Sequence, residues 1–452
     1  MLNLWRQRNL TLIGRTQVLK TFAISQFLFV TNVVHTPKEV IREANKLFHD
    51  FLWEGPDKVK RAVMMKQYEE GGLKVPNLEF KIQTQKIMWV KRLLDSTTHA
   101  WKEYPRKMLE KHGGVYIFSS DLDLASVKNT MPVFYYEMMV AWNKLRKVDV
   151  SNEGSIHEQC LWRNKNIKVG GKSVYFQDFS RKGINIVNDM YSDITGTIMT
   201  WQEVKEKTGL IDVFMLKWNG LISSLPRTWK TITAVDRTPI SDSMYVTINL
   251  VKRELGCVKS KDIYGAFVRR TEVAVTSQAY YNLKFNVQDW TEVYNRIFST
   301  TIESKLRSFQ FKFVHNIIYT NDRLFKYGIV QSKYCTFCLT EVESVEHLFC
   351  DCIEVQTLWK YIIEVYLQQF GIHQLSNKEI LLGFTKGPDI DCFANHVVLL
   401  AKWHIHKSRI LEVKPTLGDY KALLHNTMST EARIAQKRNK ENVCRRKWQF
   451  CE

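Results

Sequence analysis

Apolar residues in the first part of the chain recur at helical spacing. Between Leu10 and Val34, the residues Leu12, Val18, Leu19, Phe22, Phe29 and Val30 fall at i, i+3, i+4 and i+7 separations, one side of a 3.6-residue helix. Thr11 and Gly14 interrupt the run and read as a turn or cap before that long helix. Pro37 closes it and opens the next helix at its first turn, where a missing N–H is harmless. There Val40, Ile41, Ala44, Leu47, Phe48, Phe51 and Leu52 make one apolar stripe, ending at Trp53 before the turn Glu54-Gly55-Pro56-Asp57. A basic loop with Lys58, Lys60 and Arg61 follows. Gly71-Gly72 then signals a turn, and Asn77 is the expected cap of a helix carrying Ile82, Ile87, Met88, Val90, Leu93 and Leu94. Residues 1–95 therefore read as a compact helical unit.

The pattern loosens over residues 96–289. Short runs at Lys172–Phe176, Gly183–Val187 and Met244–Ile248 suit either strands or short helices. Trp201–Thr208 and Phe214–Leu225 keep helical spacing, and Pro226-Arg227-Thr228-Trp229 closes that portion. A third unit, 290–452, begins at Trp290. It runs through an amphipathic segment at Lys305–Ile318 and a cysteine-rich stretch, then continues as helix over Val355–Phe370. The expected fold class is mainly α, with a few short strands in the middle portion.

Composition adds size and sign. A chain of 452 residues, 45% hydrophobic with 9 Pro and 20 Gly, can bury large cores and should divide into two to four domains. The longest apolar run without a charge, Phe22–Val34, is too short to span a bilayer and is followed by no cleavage signature. The expectation is an intracellular protein of the nucleus or cytoplasm, with no membrane partner. Against 46 Asp and Glu stand 65 Lys and Arg, a formal charge of +19. A surface of that sign attracts polyanions and gains free energy by releasing their counterions, so nucleic acid is the default partner. The last 24 residues, Ser429–Glu452, carry seven Lys or Arg against three acids and read as a solvated helix or a phosphate-binding arm.

The densest chemistry lies in CTFCLTEVESVEHLFCDC. Cys335, Cys338, His347 and Cys352 form C-x2-C-x8-H-x4-C within eighteen residues. Zn²⁺ takes four thiolate or imidazole ligands at tetrahedral corners, and a Cys-x-x-Cys turn supplies two of them from one tight loop. The expected cofactor is one structural Zn²⁺. Cys350 competes with Cys352 for the fourth place, since either lies within reach of a helix starting near His347. The bland alternative is a set of small buried residues or a redox pair at Cys335 and Cys338. Nine cysteines, an odd number, argue against a disulfide framework.

Taken in order, these patches resemble the C-terminal part of LINE-type (non-LTR) retrotransposon reverse transcriptases. The resemblance is carried by Trp5, Leu10-Thr11-Leu12-Ile13-Gly14-Arg15, Val18-Leu19-Lys20, Pro37, Phe51-Leu52-Trp53, Gly71-Gly72-Leu73, Val75-Pro76 and Trp89. These are similar to the thumb that follows the polymerase palm. Ser260–Tyr264, Trp290, Lys305–Gln310, Asn321, the cysteine stretch and Trp359 are similar to the family's connector and zinc-binding segment. The resemblance implies a thumb-like domain over 1–95, a connector over 96–289 and a zinc-binding domain with a basic tail over 290–452. It also implies that the last cysteine stands five positions beyond the histidine, which selects Cys352. RNA and RNA–DNA hybrid become the expected partners, with Arg6, Arg8, Arg15, Lys20, Lys58, Lys60 and Arg61 as phosphate contacts.

The family's polymerase centre places an Asp-Asp pair on a palm hairpin, because nucleotide transfer needs carboxylates to hold two divalent ions. This sequence has no Asp-Asp pair, and it has no segment like the family's endonuclease. Asp121-Leu122-Asp123 and Asp389-Ile390-Asp391 sit in segments that read as loops. Gly170-Gly171-Lys172-Ser173 imitates the end of a P-loop but has Asn166 where the first glycine belongs. His404 and His406 lack a third ligand nearby and read as residues of a packed helix. The expectation is a chain with no catalytic residues and no catalytic Mg²⁺ site. Two alternatives stand beside it: part of an active polymerase whose palm lies upstream, or a scaffold with no nucleic-acid role.

Overall fold

The computed structural model describes residues 1–146, 156–230, 245–248, 251–271, 273–384 and 388–451. It is mainly helical. Among the described residues the strands form two antiparallel hairpins, Lys168–Val169 with Lys172–Ser173 and Tyr245–Ile248 with Val251–Glu254. Met244 and Glu452 lie outside the described residues.

The helix boundaries follow local chemistry. Thr11 caps Leu12–Val18 by accepting the Gly14 N–H at 3.1 Å, and Asn77 caps Leu78–Leu94 by accepting the Phe80 N–H at 3.1 Å. The first long helix is interrupted by a π-turn at Leu19–Ala23 before it continues as Ile24–Val33, a detail the periodicity does not predict. Lys38–Trp53 ends where the Glu54-Gly55 turn begins. Its buried stripe is narrower than expected, for Ala44, Phe48, Phe51 and Leu52 are buried while Val40 and Leu47 are exposed.

Packing divides the chain into two compact units, each gathered from separate stretches: Met1–Ile24, Asn45–Pro76 and Glu272–Glu452 in the first, Ser25–Ala44 and Asn77–Thr271 in the second. The three expected segments describe order along the chain, whereas packing collects residues from distant parts of it.

In the second unit, Leu78–Leu94 is tied to Ile24–Val33 by polar links. Gln85 Nε2 donates to the Leu28 carbonyl at 2.7 Å, and Trp89 Nε1 donates to the Asn32 carbonyl at 3.0 Å. The loosely patterned residues that follow are held by buried aromatics. Trp142, Trp162 and Trp218 donate from their indole N–H groups to the Phe118 carbonyl, the Asn185 side chain and the Met199 carbonyl at 2.8, 3.0 and 3.1 Å. A large ring that also satisfies a loop carbonyl can organise short elements whose own periodicity is weak.

In the first unit, Ser304–Val314 is central. Leu306, Phe309, Phe311, Phe313 and Val314 are buried, and Phe309 packs edge-on against Trp403 of the helix Pro388–Ile410, ring centroids 5.2 Å apart. Gly71 and Gly72 mark a close approach. A Cβ on Gly72 would stand 2.1 Å from the Lys66 carbonyl oxygen, and one on Gly71 (φ 82°) would stand 2.7 Å from the Tyr294 ring. The basic tail comprises the end of the helix Leu417–Lys437 and a second helix, Glu441–Trp448, which docks through Trp448 edge-on against the Phe393 ring. Trp448 is buried, with its indole N–H on Glu431 at 3.0 Å and Lys447 on the same carboxylate at 2.8 Å. No helix among the described residues is long and apolar enough to cross a membrane.

Candidate metal centre

Two local structures bring the cysteine and histidine side chains together. The first is a tight knuckle closed by a Tyr334–Val342 bridge, in which the Cys335 N–H donates to the Glu341 carbonyl at 2.7 Å and the Leu339 N–H to the Cys335 carbonyl at 3.0 Å. Leu339 takes φ 62°, and this left-handed residue turns the chain back after Cys338. The second is the π-turn His347–Asp351. Its wide turn lets the Cys352 N–H reach the His347 carbonyl at 2.8 Å, and Cys352 then opens the helix Ile353–Ile362 as its N-cap.

The Sγ atoms of Cys335, Cys338 and Cys352 and a ring nitrogen of His347 lie within 4.8 Å of one another. Cys335 Sγ stands 3.8 Å from Cys352 Sγ, and Cys338 Sγ stands 3.4 Å from His347 Nε2. Tetrahedral Zn–S and Zn–N bonds of about 2.3 and about 2.0 Å require S···S and S···N edges of about 3.8 and about 3.5 Å. The donor set and its spacing thus fit Zn²⁺, which would cross-link the knuckle to the start of the following helix. Cys350 belongs elsewhere: it is buried outside the cluster, and burial pushes its thiol well above the usual range. The π-turn separates the two cysteines by sending one to the core and the other to the knuckle.

Electrostatics at the ligands are uneven. Burial, followed by the neighbouring cysteines, pushes the Cys335 thiol up to about 12, and burial also raises Cys352. Burial acts the same way on Cys338, but it is outweighed by the Thr340 hydroxyl at 3.3 Å, backbone N–H groups and His347, which bring that thiol down to about 6. Of the three cysteine ligands, Cys338 is therefore the one that gives up its proton most readily. The other two need the cation to compensate their charge, which couples metal binding to proton release.

The knuckle rests on a residue that motif spacing does not reveal. Glu343 is fully buried, and its carboxylate accepts from the Thr336 N–H at 2.8 Å, the Thr336 hydroxyl at 2.7 Å, the Asn321 N–H at 2.8 Å and Arg409 Nε at 2.7 Å. Arg409 reaches it from the helix Pro388–Ile410. Nothing in the sequence singles Glu343 out, since Glu341, Glu346 and Asp351 stand in the same stretch. Phe337, Phe349 and Trp359 are buried, and the Trp359 N–H donates to the Phe349 carbonyl at 2.8 Å, so these rings are core.

All seven expected phosphate contacts fall in the first unit, as does the metal cluster. Two are committed to the fold. Arg15 donates to the Phe51 and Leu52 carbonyls at 3.4 and 3.3 Å and pairs with Glu54 at 2.6 Å, closing the end of Lys38–Trp53. Lys20 donates to the Leu73 carbonyl at 2.8 Å, and burial, then the Lys74 charge, lowers its amine to about 8. Arg6 bonds Asn3, Arg8 lies over the Trp5 ring, Lys58 lies over the Tyr319 ring and Arg61 pairs with Asp57 at 2.6 Å. Lys60 is exposed.

The other sequence candidates are structural. Asp121 pairs with Lys165 at 2.7 Å, and Asp123 caps a short helix while accepting from Ser173. Asp389 and Asp391 stand in the first turn of Pro388–Ile410, where a loop was expected. Gly170 and Gly171, both at positive φ, form the turn of a β-hairpin with no helix directly behind it. His404 bonds the Thr416 carbonyl at 3.0 Å, and His406 stacks on Phe309. No curated protein matches the chain. Residues 275–359 match the family described as zinc-binding in reverse transcriptase, and this part of the chain, with its four gathered ligands, is a reverse-transcriptase-associated zinc-binding domain.

Proposed function

We propose that the chain is the C-terminal, nucleic-acid-holding part of a LINE-type reverse transcriptase, with thumb-like, connector and zinc-bearing portions and no polymerase centre of its own. The observation that carries this reading is the reverse-transcriptase-type knuckle in the same compact unit as the basic segments 6–20 and 58–61. Zinc holds the knuckle in shape, and the excess positive charge holds the phosphates of RNA or an RNA–DNA hybrid. Catalytic silence is supported by the missing Asp-Asp pair and by the structural engagement of Asp121 and Asp123.

Binding of single-stranded RNA is expected to weaken linearly in a log–log salt titration, with a slope of about −0.7 per phosphate neutralised. Replacing Lys58, Lys60 and Arg61 together by Gln should weaken binding to every sequence alike and flatten that slope, because phosphate contacts position without reading bases. Salt-independent or absent binding would favour the scaffold reading. Primer extension with Mg²⁺ and nucleotides should stay at background, and processive synthesis would overturn the non-catalytic assignment.

A further inference from the structure

A cavity of about 320 Å³ opens within the first unit, beside the start of Leu12–Val18, the loop after Lys38–Trp53, the helix Ser304–Val314 and the last turns of Pro388–Ile410. Four cationic side chains line it, Arg15, Lys58, Lys305 and Lys312, against the single carboxylate of Glu54. That carboxylate is already engaged by Arg15 at 2.6 Å. The lining is left with an excess of three positive charges, and among the described residues Lys58, Lys305 and Lys312 have no ion-pair partner.

The arrangement follows from helix geometry. Lys305, Ser308, Phe309 and Lys312 stand at i, i+3, i+4 and i+7, so one face of Ser304–Val314 presents both ammonium groups to the same cavity. Across from it, Trp403 lies under the Lys305 ammonium at 5.2 Å. Two further lining residues have unused polar atoms: the Trp53 indole N–H and His406 Nδ1 are buried without a hydrogen-bond partner. Buried polar groups are ordinarily paired, so unmade bonds beside clustered like charges mark a place that gains by receiving an anion. Burial, then the charges of Lys58 and Arg15, lowers the Lys312 amine. The repulsion among these cations is only partly offset by the Glu54 carboxylate.

We propose that this cavity binds one phosphate group of a nucleic-acid backbone, with Lys58, Lys305 and Lys312 as counter-charges and the Trp403 ring beside the adjoining nucleotide. The inference rests on the nucleic-acid reading above and extends its site from Lys58 of the basic loop to Lys305, Lys312 and Trp403. A phosphate oxygen accepts hydrogen bonds from ammonium and indole donors alike, and a neighbouring aromatic face suits a sugar or base.

The test compares the parent with Lys305→Gln/Lys312→Gln and the charge-keeping Lys305→Arg/Lys312→Arg. Fluorescence anisotropy with a single-stranded RNA is read across salt, and calorimetry with inorganic pyrophosphate is read alone. Zinc content and melting temperature check the fold. The Gln pair should bind RNA roughly three- to ten-fold more weakly, with a salt slope shallower by about 0.7, while the Arg pair stays near the parent. If the Gln pair does not fold, Lys305→Gln, at an exposed position, is read in the same way. Parent-like affinity and slope in the Gln pair would overturn the cavity and leave the wider RNA reading standing. A parent that binds no RNA overturns both, and pyrophosphate binding lost in the Gln pair would then reassign the cavity to free phosphate.

Discussion

At the scale of single residues, the zinc-binding domain depends on which cysteine faces the knuckle and on what lies behind it. Cys352→Ala is expected to abolish stoichiometric zinc binding, whereas Cys350→Ala, whose thiol is in the core, should keep one metal per chain and lose only packing. Metal content by elemental analysis separates the two, and the reverse pattern would reassign the fourth ligand. Glu343→Ala makes a different prediction. It leaves Arg409 without its ion pair and frees the Thr336 and Asn321 N–H groups, and breaking a buried pair typically costs about 3–5 kcal/mol. Faster zinc release to a chromogenic chelator and a lower melting temperature should appear together. Unchanged release would show that the knuckle holds its shape without that carboxylate.

Among the elements, two glycines with the same substitution separate steric from conformational cost. Gly72→Ala places a methyl 2.1 Å from the Lys66 carbonyl oxygen, backbone against which nothing can yield cheaply, and should destabilise by at least about 2 kcal/mol. Gly209→Ala meets open space at φ 70°, past the end of Trp201–Thr208, and should cost only about 1 kcal/mol. Chemical denaturation of the two variants gives the comparison, and equal losses would sink the steric account of the Gly71-Gly72 turn. The π-turn at His347–Asp351 operates at this scale too, since a wide turn of five residues decides which thiol the metal meets.

Over the whole molecule, burial of histidines makes the fold sensitive to acid. Burial, reinforced by nearby positive charges, lowers His112 and His406 to about 4; burial alone does the same to His315, which bonds the Gly71 carbonyl at 2.8 Å, and burial followed by the Lys447 charge holds His396 well below the usual range. Unfolded histidine titrates near about 6.5. Between about pH 6.5 and 4 the unfolded chain therefore takes up protons that the folded chain refuses. Stability falls as pH falls, by up to about 1.4 kcal/mol per pH unit for each such histidine. The urea midpoint should be lower at pH 5 than at pH 7, and an unchanged midpoint would show that these imidazoles are not buried neutral. Zinc release runs in the same direction because its thiolates take up protons, so it needs its own readout.

What the sequence determined by itself was short in range. Caps at Thr11 and Asn77, the stop at Trp53, the helix Trp201–Thr208 and the four-ligand spacing are decided by residues within a few positions of one another, where side-chain type and helical period act directly. The choice of Cys352 over Cys350 was legible only through family resemblance, because periodicity cannot foresee a π-turn. Tertiary structure alone decided which charges are free. Arg15 and Lys20 carry the same formal charge as Lys60, yet carbonyls distant in sequence claim them. Glu343 and Arg409 meet across 66 residues, and Lys58 joins Lys305 and Lys312 around one cavity from the far end of the chain. A charge in sequence is only a sign, and the role it plays depends on the carbonyls, rings and like charges that folding brings within a few ångströms of it.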